Sequence, residues 1–148
     1  CVERLRRYFP GCALTADMIT GFPGETEDDQ AAAVAFLEQV GFAAVHVFPY
    51  SRRPGTKADA MPEQLSHAVK SARAHEAQRV ADACKQRYLA QQVGRILPVL
   101  FETEHDGNWV GHSDNYCLVR VAGDDLRGLV KNVKISAVSG QMLVGDLV

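Results

Sequence analysis

The sequence feature that most constrains the fold is a change in hydrophobic spacing at Gly94. Before Gly94, apolar residues recur at helical spacing or form short runs between turns. After it they form five short runs that are typical of β-strands. The pattern predicts an α/β part followed by an all-β part, with a domain boundary at Val93 and Gly94.

The α/β part opens with a strand, a Gly-rich loop, a helix and a second strand. An apolar run at residues 13–20 ends at Gly-Phe-Pro-Gly (residues 21–24), which cannot continue a strand. Thr26 begins a capping box, and helical spacing continues to about Val40, where the following glycine is a natural end. Residues 44–50 are again strand formers. This order predicts a βαβ unit, in which the loops after both strands lie at the same edge of a parallel sheet.

Two strands alone do not make a stable sheet, so we expect the α/β part to belong to a larger barrel or open sheet. The chain starts at Cys1 without Met, residues 2–9 already have helical spacing, and further elements are expected upstream. A long helix is predicted from Pro62 or Glu63 to about Val93. These limits define three predicted regions, residues 1–62, 63–93 and 94–148.

The all-β part contains five short runs separated by turns, of which Asp106-Gly107-Asn108 is a strong hairpin signal. A small closed barrel of the OB type accommodates five strands without a long exposed edge. The predicted strands are residues 96–103, 109–113, 116–121, 129–136 and 141–148.

Composition indicates a globular protein and argues against strong electrostatic attraction to nucleic acid. The net charge is −2, whereas nucleic-acid-binding domains are usually basic. The four cysteines never fall in CxxC spacing, which gives no zinc ribbon, and we expect reduced thiols in a cytoplasmic protein. No apolar run approaches the roughly 20 residues that cross a bilayer, so no membrane partner is expected.

Polar residues stand in or directly after both predicted strands. Asp17 lies in an apolar run, where an unpaired buried carboxylate is costly, so it should meet a cation or hydrogen-bond donors, in the core or on a ligand. The Gly-rich loop allows close approach of a ligand, or is a structural turn. Ser51, Arg52 and Arg53 suit a carboxylate or phosphate, or form a solvated loop. His46 has no second metal ligand at a suitable spacing and is interpreted as a core histidine.

Aromatic and basic side chains alternate in the all-β part. Bases stack on aromatic rings and cations follow phosphates, so the pattern is compatible with single-stranded RNA; core aromatics and solvated cations are the alternative. This part holds five Lys or Arg against seven Asp or Glu, so RNA binding would be local or shared with other regions. The candidate side chains are Trp109, His112, Asn115, Tyr116, Arg120, Arg127, Lys131 and Lys134.

The chain resembles the radical-SAM methylthiotransferase family. Two blocks are similar to the closing strands of its catalytic barrel, DMITGFPGETEDD (residues 17–29) and VHVFPYSRRPGTKA (residues 45–58). GHSDNYCLVRV (residues 111–121) and LRGLVKNVKI (residues 126–135) resemble its TRAM domain, a small RNA-binding β-barrel. The resemblance implies the C-terminal part of a TIM-like α/β barrel, a connecting helix and a five-stranded OB-like barrel.

The resemblance also implies radical chemistry in the complete protein. The family's barrel binds S-adenosylmethionine (SAM) and a 4Fe-4S cluster, a 5′-deoxyadenosyl radical forms, and a methylthio group enters an unreactive carbon. A second 4Fe-4S cluster is implicated in sulfur delivery. None of the cysteines here matches the family's CxxxCxxC motif, so the cluster ligands are expected upstream. No metal site is expected in this chain, which alone should be inactive.

Site residues follow from the resemblance by position. Residues 17–25 correspond to the strand and loop along which the adenosine part of SAM lies, with Glu25 one position away from the commonest spacing. The implied cofactor contacts are Asp17, Ile19, Gly21, Glu25 and Ser51. The implied substrate or RNA contacts are Arg52, Arg53, Trp109, His112, Asn115, Tyr116, Arg120, Lys131 and Lys134.

Within the family, the VHVFPYS and NYCLVRV elements most resemble enzymes that act at C2 of N6-threonylcarbamoyladenosine beside the tRNA anticodon. This implies the anticodon stem-loop and the missing N-terminal part of the protein as partners. Other members modify isopentenyladenosine in tRNA or an aspartate of a ribosomal protein, and the basic pair Arg52-Arg53 favours RNA. A noncatalytic RNA-binding module and a purely structural protein are the alternatives from other classes.

Overall fold

The computed structural model describes all residues from 1 to 148, and the chain divides into two compact units. The first, called the α/β unit, comprises Val2 and Leu14–Lys85, and the second, called the barrel unit, comprises Cys1, Glu3–Ala13 and Gln86–Val148. The helices are α1 (Val2–Tyr8), α2 (Glu27–Val40) and α3 (His67–Ala90). The strands are β1 (Thr15–Thr20), β2 (Ala44–Pro49), β3 (Ile96–His105), β4 (Asn108–Ser113), β5 (Leu118–Ala122), β6 (Val130–Ser139) and β7 (Met142–Leu147).

In the α/β unit, β1 and β2 form a two-stranded parallel sheet connected through α2. Their register pairs Thr15 with Ala44 at one end and Thr20 with Pro49 at the other. The predicted order of strand, loop, helix and strand is confirmed, as is the expectation that the two strands are parallel neighbours. Both following loops therefore begin at the same edge of the sheet.

Helix α2 begins and ends where its capping residues predict. The Thr26 hydroxyl accepts from the Asp29 amide at 3.1 Å, and the Asp29 carboxylate accepts from the Thr26 amide at 3.0 Å. At the other end Gly41 adopts a left-handed φ of 62° and its amide donates to the Leu37 carbonyl. The reciprocal bonds satisfy amides that the first turn leaves unpaired, which fixes the start of the helix.

Helices cover only one face of the two-stranded sheet. The buried core of the α/β unit joins residues of α2 and α3 to Phe42 and to the inward face of β2. Half-buried side chains on the same face of β1 pack against it. The core consists of Leu37, Val40, Phe42, Val45, Ala77 and Ala81, with Ala16, Met18 and Val47 at its margin.

Helix α3 is shorter than predicted at both ends. It begins at His67, because Glu63 has a φ of 58° and the Ser66 hydroxyl accepts from the Val69 amide at 3.3 Å as an N-cap. It ends at Ala90, and the boundary between the two compact units falls within it. The domain limits 1–62, 63–93 and 94–148 stay predictions. None of the helices is both long and apolar enough to pass through a membrane.

The barrel unit contains a closed five-stranded barrel in the order β3-β4-β5-β7-β6. All neighbouring pairs are antiparallel except β5 and β7, which are parallel. Alternate side chains fill the interior, as expected for a small barrel. The prediction of a closed five-stranded barrel is confirmed. Its most deeply buried residues are Val99, Phe101, Val119, Val121, Val133, Ile135 and Leu143.

The turns of the barrel agree with the predicted hairpin, with one correction. Asp106 and Gly107 have φ values of 51° and 73° and join His105 directly to Asn108, as a two-residue hairpin turn requires. The predicted strand at residues 116–121 starts late, because Tyr116 has a φ of 62° and β5 begins only at Leu118. Tyr116 therefore lies in a turn.

Candidate functional site

The loops that follow β1 and β2 meet at the carboxyl edge of the sheet. The Tyr50 amide donates to the Thr20 carbonyl at 2.8 Å, which extends the pairing by one residue. Beyond it, the rings of Phe22 and Tyr50 pack edge to face with centroids 5.1 Å apart. The hydroxyl oxygens of Thr20 and Tyr50 are buried and have no hydrogen-bond partner. The loops after β1 and β2 are thus brought together, and two buried hydroxyl oxygens there lack a hydrogen-bond partner.

The Glu25 carboxylate closes the Gly-rich loop (residues 21–25) from inside. Both of its oxygens lie 2.9 Å from the Gly21 amide, and one lies 3.4 Å from the Phe22 amide. Gly21 has a φ of 71°, and a Cβ there would lie 2.6 Å from Cγ of Lys70. The loop is held by its own carboxylate and packs tightly on α3, so Glu25 shapes the loop rather than pointing outward.

Arg73, on α3, binds this carboxylate and was not identified from the sequence. Its guanidinium donates to Oε1 of Glu25 at 2.6 Å, to the Glu25 carbonyl at 2.9 Å and to Oε1 of Glu27 at 2.6 Å. The Arg73 side chain is 6% exposed, and that of Glu25 is 15% exposed. Its hydrogen bond to Glu27 is the largest cause that raises the pKa of Arg73 above its usual value, and its bond to Glu25 adds to it. Because Glu27 is exposed, solvent screens that pair more than the pair with Glu25.

The loop after β2 places its basic residues in solvent. Ser51, Arg52 and Arg53 are all exposed. Nε of Arg52 donates to the Asp59 carboxylate at 2.7 Å and Nη2 to the Asp59 carbonyl at 2.9 Å, which ties the loop together. The Arg53 carbonyl accepts from the Thr56 hydroxyl at 2.8 Å. Arg52 therefore has a structural partner, whereas the guanidinium of Arg53 is presented to solvent.

The face of the sheet that the helices leave uncovered carries Asp17 and Ile19 of β1 beside His46 and Phe48 of β2. The register pairs Asp17 with His46 and Ile19 with Phe48. Ile19 is 56% and Phe48 51% exposed, and the ring of His46 stacks on Phe48 at 6.5 Å. Asp17 and His46 are also exposed. The expectation of a core histidine is corrected, and so is the buried alternative for Asp17, because helices pack on only one side of these strands. A ligand contact of Asp17 stays a prediction.

The barrel separates its candidate residues into interior and exterior sets. Trp109 lies in the interior and is 6% exposed, so its ring is not available to a base, and the expectation that it stacks on RNA is corrected. It alternates along β4 with His112, which is on the outside. Nδ1 of His112 lies 2.6 Å from a carboxylate oxygen of Glu102, and both side chains are exposed.

Asn115 is part of an internal hydrogen-bond network of the barrel unit. Its amide nitrogen donates to the Tyr88 hydroxyl at 3.0 Å and to Oε1 of Gln92 at 3.1 Å, and its oxygen accepts from the Ser113 hydroxyl at 2.6 Å. Tyr88 in turn donates to the Gly11 carbonyl at 3.0 Å. Both amide hydrogens of Asn115 are used within the protein, which makes it the anchor of the turn that carries Tyr116. Its assignment as an RNA contact stays a prediction.

A row of cross-strand neighbours forms an exposed patch on the outside of the barrel. Leu100 pairs with Val130 on one side and with His112 on the other, and His112 pairs with Leu118. The Tyr116 ring, 85% exposed, lies 5.8 Å from that of His112. We call Leu100, Val130, His112, Leu118 and Tyr116 the outer patch. The sequence did not single out Leu100, Val130 or Leu118, whose alternation along their strands is the signal that could have done so.

The candidate cations are distributed over the barrel surface. Lys131 and Lys134 are exposed on β6, where Lys134 pairs with Ile96 of β3. Arg127 is exposed, and Arg120 is half-buried on β5. Lys131 follows Val130 of the outer patch in sequence, so cationic and apolar side chains occur along the same strand.

Comparisons with known proteins identify relatives along almost the whole chain. No protein-family model matches it. It is 36% identical over 140 residues, 90% of the chain, to the threonylcarbamoyladenosine tRNA methylthiotransferase MtaB of Bacillus subtilis. It is 40% identical over 149 residues, 99% of the chain, to the tRNA-2-methylthio-N(6)-dimethylallyladenosine synthase of Maricaulis maris, and 36% identical over 154 residues to that of Nitratidesulfovibrio vulgaris. The chain belongs to the tRNA methylthiotransferase family.

Membership of the tRNA methylthiotransferase family confirms the resemblance read from the motifs. The chain spans about a third of the length of these relatives, with 31% of the first and 33% of the second covered. In the structure of this family member, no group of three His, Cys, Asp or Glu side chains converges on a point that could hold a metal ion. The four cysteines form no disulfide, and two of them, Cys84 and Cys117, are buried.

Proposed function

We propose that the chain is the C-terminal part of a radical-SAM enzyme that inserts a methylthio group at C2 of N6-threonylcarbamoyladenosine beside the tRNA anticodon. The α/β unit would supply part of the SAM-binding barrel, and the barrel unit, as a TRAM domain, would bind the tRNA. The observation that carries the proposal is the parallel pairing of β1 and β2, with a Gly-rich loop at their carboxyl edge. Ligands of parallel α/β folds bind beyond this edge.

The uncovered face of the sheet supports a barrel that other parts of the protein complete. Parallel sheets are normally covered on both faces, yet Asp17, Ile19, His46 and Phe48 are exposed here. Each strand also has one edge without a partner strand. About two thirds of the length of the relatives lies outside the matched part, which is ample for the remaining strands. In the complete protein these four side chains would line the interior of the barrel.

The residues of this chain fit contacts to the nucleoside part of SAM. The unpaired edge of β1 offers backbone donors and acceptors near Ile19. The Gly21 amide is held by Glu25, and the buried hydroxyls of Thr20 and Tyr50 have no hydrogen-bond partner. We propose that the clusters are held by residues outside this chain. When bound, SAM and its cluster supply the radical chemistry. The role of residues 21–25 is to shape the rim that the nucleoside contacts.

The reaction is tested by mass spectrometry of tRNA nucleosides from cells that lack the complete gene. Loss of the 2-methylthio derivative of threonylcarbamoyladenosine, restored by the wild-type gene, is expected. Loss of the dimethylallyladenosine derivative instead would establish the second candidate substrate, which the 40% identity to the Maricaulis maris enzyme favours. An unchanged nucleoside profile would contradict both and leave the barrel unit as a noncatalytic binding module.

The role of the Gly-rich loop is tested in the same cells with two alanine variants. Gly21 and Gly55 both have left-handed φ values, of 71° and 84°, so alanine strains the backbone at both. Only at Gly21 does the new Cβ collide with α3, since no atom lies within 4 Å of the Cβ position at Gly55. Gly21→Ala should abolish restoration of the nucleoside while Gly55→Ala retains it. Equal activity of the two variants would contradict a role for the shape of this loop.

Recognition of tRNA by the barrel unit is assigned to the outer patch. A base that stacks on an aromatic ring contributes about 1–3 kcal/mol, and Tyr116 is the most exposed large apolar side chain of the patch. His112 and Leu100 extend the surface beside it. Lys131 and Lys134 are exposed on β6, the strand that also carries Val130 of the outer patch, and their cations can contact phosphates. The surplus of acidic residues in this region means that binding depends on this local arrangement rather than on net charge.

Binding of tRNA to the complete protein tests this assignment. Tyr116→Ala should weaken the affinity roughly 5- to 100-fold, the loss of one stacked base. Tyr8→Ala is the matched control, because Tyr8 is a 66% exposed tyrosine of α1 that is not one of the outer-patch residues. Lys131→Ala should instead reduce the salt dependence of binding by about one phosphate contact. Equal affinities for the Tyr116 and Tyr8 variants would contradict a stacking surface at the outer patch.

A further inference from the structure

Arg73 connects helix α3 to the Gly-rich loop, and we propose that it is a positioning residue for SAM. It acts through the Glu25 carboxylate, which in turn orients the backbone of Gly21. This inference rests on the proposed function, because it assumes that residues 21–25 form the rim of the SAM site. Arg73 is buried and bonds to Glu25 and Glu27, so its effect on the ligand is indirect.

The guanidinium of Arg73 is buried and uses one terminal nitrogen on the Gly-rich loop and the other on the first residue of α2. Nη1 donates to both the carboxylate and the carbonyl of Glu25, at 2.6 and 2.9 Å. Nη2 reaches the exposed Glu27 at 2.6 Å. With the Arg73 side chain 6% exposed, water cannot replace these bonds without opening the unit. The side chain therefore fixes both the backbone and the side chain of Glu25.

The Glu25 carboxylate transmits this constraint to the first residue of the loop. Its two oxygens accept from the Gly21 amide at 2.9 Å each, so the direction of that peptide plane depends on where the carboxylate stands. Removal of Arg73 would leave a largely buried carboxylate without its cation, which is costly. The carboxylate would then turn toward water and release the Gly21 amide.

The same turn of α3 also contacts the second loop. Lys70, three residues before Arg73, packs against Gly21 and places its ammonium group 4.9 Å from the centroid of the Tyr50 ring. Residues three apart share a helix face, so Lys70 and Arg73 act as one surface. One turn of the helix thus sets the positions of the loops after both β1 and β2.

Arginine is needed at this position because of the shape of its side chain. A guanidinium presents several donors in a fixed plane and binds two carboxylates and a carbonyl at once, whereas a lysine ammonium is a point charge on a flexible stem. Arg73→Lys should keep the charge but lose the simultaneous contacts. We therefore expect it to retain part of the function and Arg73→Gln to retain less.

The test is equilibrium binding of SAM to the complete protein, measured by calorimetry and independent of turnover. Arg73→Gln should weaken SAM binding at least tenfold, and Arg73→Lys should weaken it less. Arg79→Gln is the matched control, because Arg79 is exposed on the same helix. The affinity for tRNA should stay within twofold of the wild type in all of these variants. Loss of SAM and tRNA binding together in Arg73→Gln would show a general folding defect and overturn the proposal.

A double-mutant cycle separates positioning from simple destabilisation. Glu25→Gln should weaken SAM binding as much as Arg73→Gln, and the double variant should be no weaker than either, because both residues act on one amide. Additive losses would overturn the proposal. Glu27→Gln should change the affinity less than twofold, since that carboxylate is 86% exposed. If the wild-type protein does not bind SAM at all, the proposed function itself fails. If the wild type and Arg73→Gln bind SAM equally well, only the positioning role of Arg73 fails.

Discussion

The two units of this chain differ in how their sheets end. In the barrel unit the five strands close on themselves, and Val99, Phe101 and Val119 are completely buried inside. In the α/β unit the two strands end at open edges, and Ile19 and Phe48 are more than half exposed on the uncovered face. The barrel unit pairs the edges of all its strands and buries its own core. The α/β unit leaves unpaired strand edges and exposed apolar side chains.

This difference affects what each unit can do alone. A closed barrel leaves no strand edge unpaired, so the outer patch needs no further strand to complete it. At the carboxyl edge of β1 and β2, these two strands and their loops border the candidate site. The side chains on the uncovered face of the sheet are exposed to solvent. The proposed binding role therefore uses only surface that the barrel unit itself supplies, whereas the proposed SAM site of the α/β unit lies beside strands whose outer edges are unpaired.

The largest expected effect concerns two separate pieces, residues 86–148 with the closed barrel and residues 14–85 with the two-stranded sheet. Residues 86–148 should fold, with dispersed amide signals in NMR spectra and cooperative unfolding, because the closed barrel has its own core. Residues 14–85 should give collapsed spectra, because a two-stranded sheet with one bare face cannot offset its conformational entropy. A cooperatively folded 14–85 piece would remove the distinction between the units.

The barrel core provides the second test, with a matched pair of neighbouring residues. Phe101 is fully buried and Leu100 is 42% exposed on the same strand. Phe101→Ala should lower the free energy of unfolding by about 3–5 kcal/mol, and Leu100→Ala by less than about 1 kcal/mol. The fluorescence of Trp109, the only tryptophan and a buried one, reports the unfolding of the barrel in urea. Similar losses for both variants would mean that the barrel is not packed as described.

The sequence was sufficient for local structure and for the order of elements. The capping box at Thr26, the hairpin turn at Asp106 and Gly107, and the alternation of the barrel strands are local signals, and the structure has all three. Such signals depend on neighbours within a few residues, so one sequence reveals them. The start of α3 was missed because Ser66 caps it, while Pro62 and Glu63 before it resemble a helical first turn.

The candidate sites were less predictable because their contacts are distant in sequence. Arg73 meets Glu25 across 48 residues, and no spacing rule connects them. Trp109 and Tyr116 belong to the same hairpin region, yet one is buried and the other is 85% exposed, which depends on barrel closure. His46 was expected in the core and Asp17 in the core or on a ligand, and both side chains are exposed because the helices of this chain pack on the other face of β1 and β2.

A smaller effect is expected at the capping box of α2. Thr26→Ala removes the hydroxyl that accepts from the Asp29 amide and donates to the Asp29 carboxylate, and N-caps of this kind contribute about 1 kcal/mol. Hydrogen exchange of the Asp29 amide should become faster by the corresponding factor of about five. Ser66→Ala at the start of α3 is the comparison and should change less, since its single bond is 3.3 Å long. Unchanged exchange at Asp29 would show that the box does not hold the helix end.

The smallest expected effect is a dependence of barrel stability on alkaline pH. Burial is the largest cause that raises the pKa of the Tyr88 phenol, nearby Cys117 adds to it, and the hydrogen bond from Asn115 opposes it. The folded state therefore keeps this proton to a higher pH than the unfolded chain, whose tyrosine pKa is about 10. The stabilisation is fully present below pH 10 and is lost as pH rises through the folded pKa. Tyr88→Phe lacks this group, so the stability advantage of the wild type, followed by Trp109 fluorescence, should decrease above about pH 10. An advantage that stays constant from pH 8 to pH 11 would mean that the Tyr88 hydroxyl is not held in its network as described.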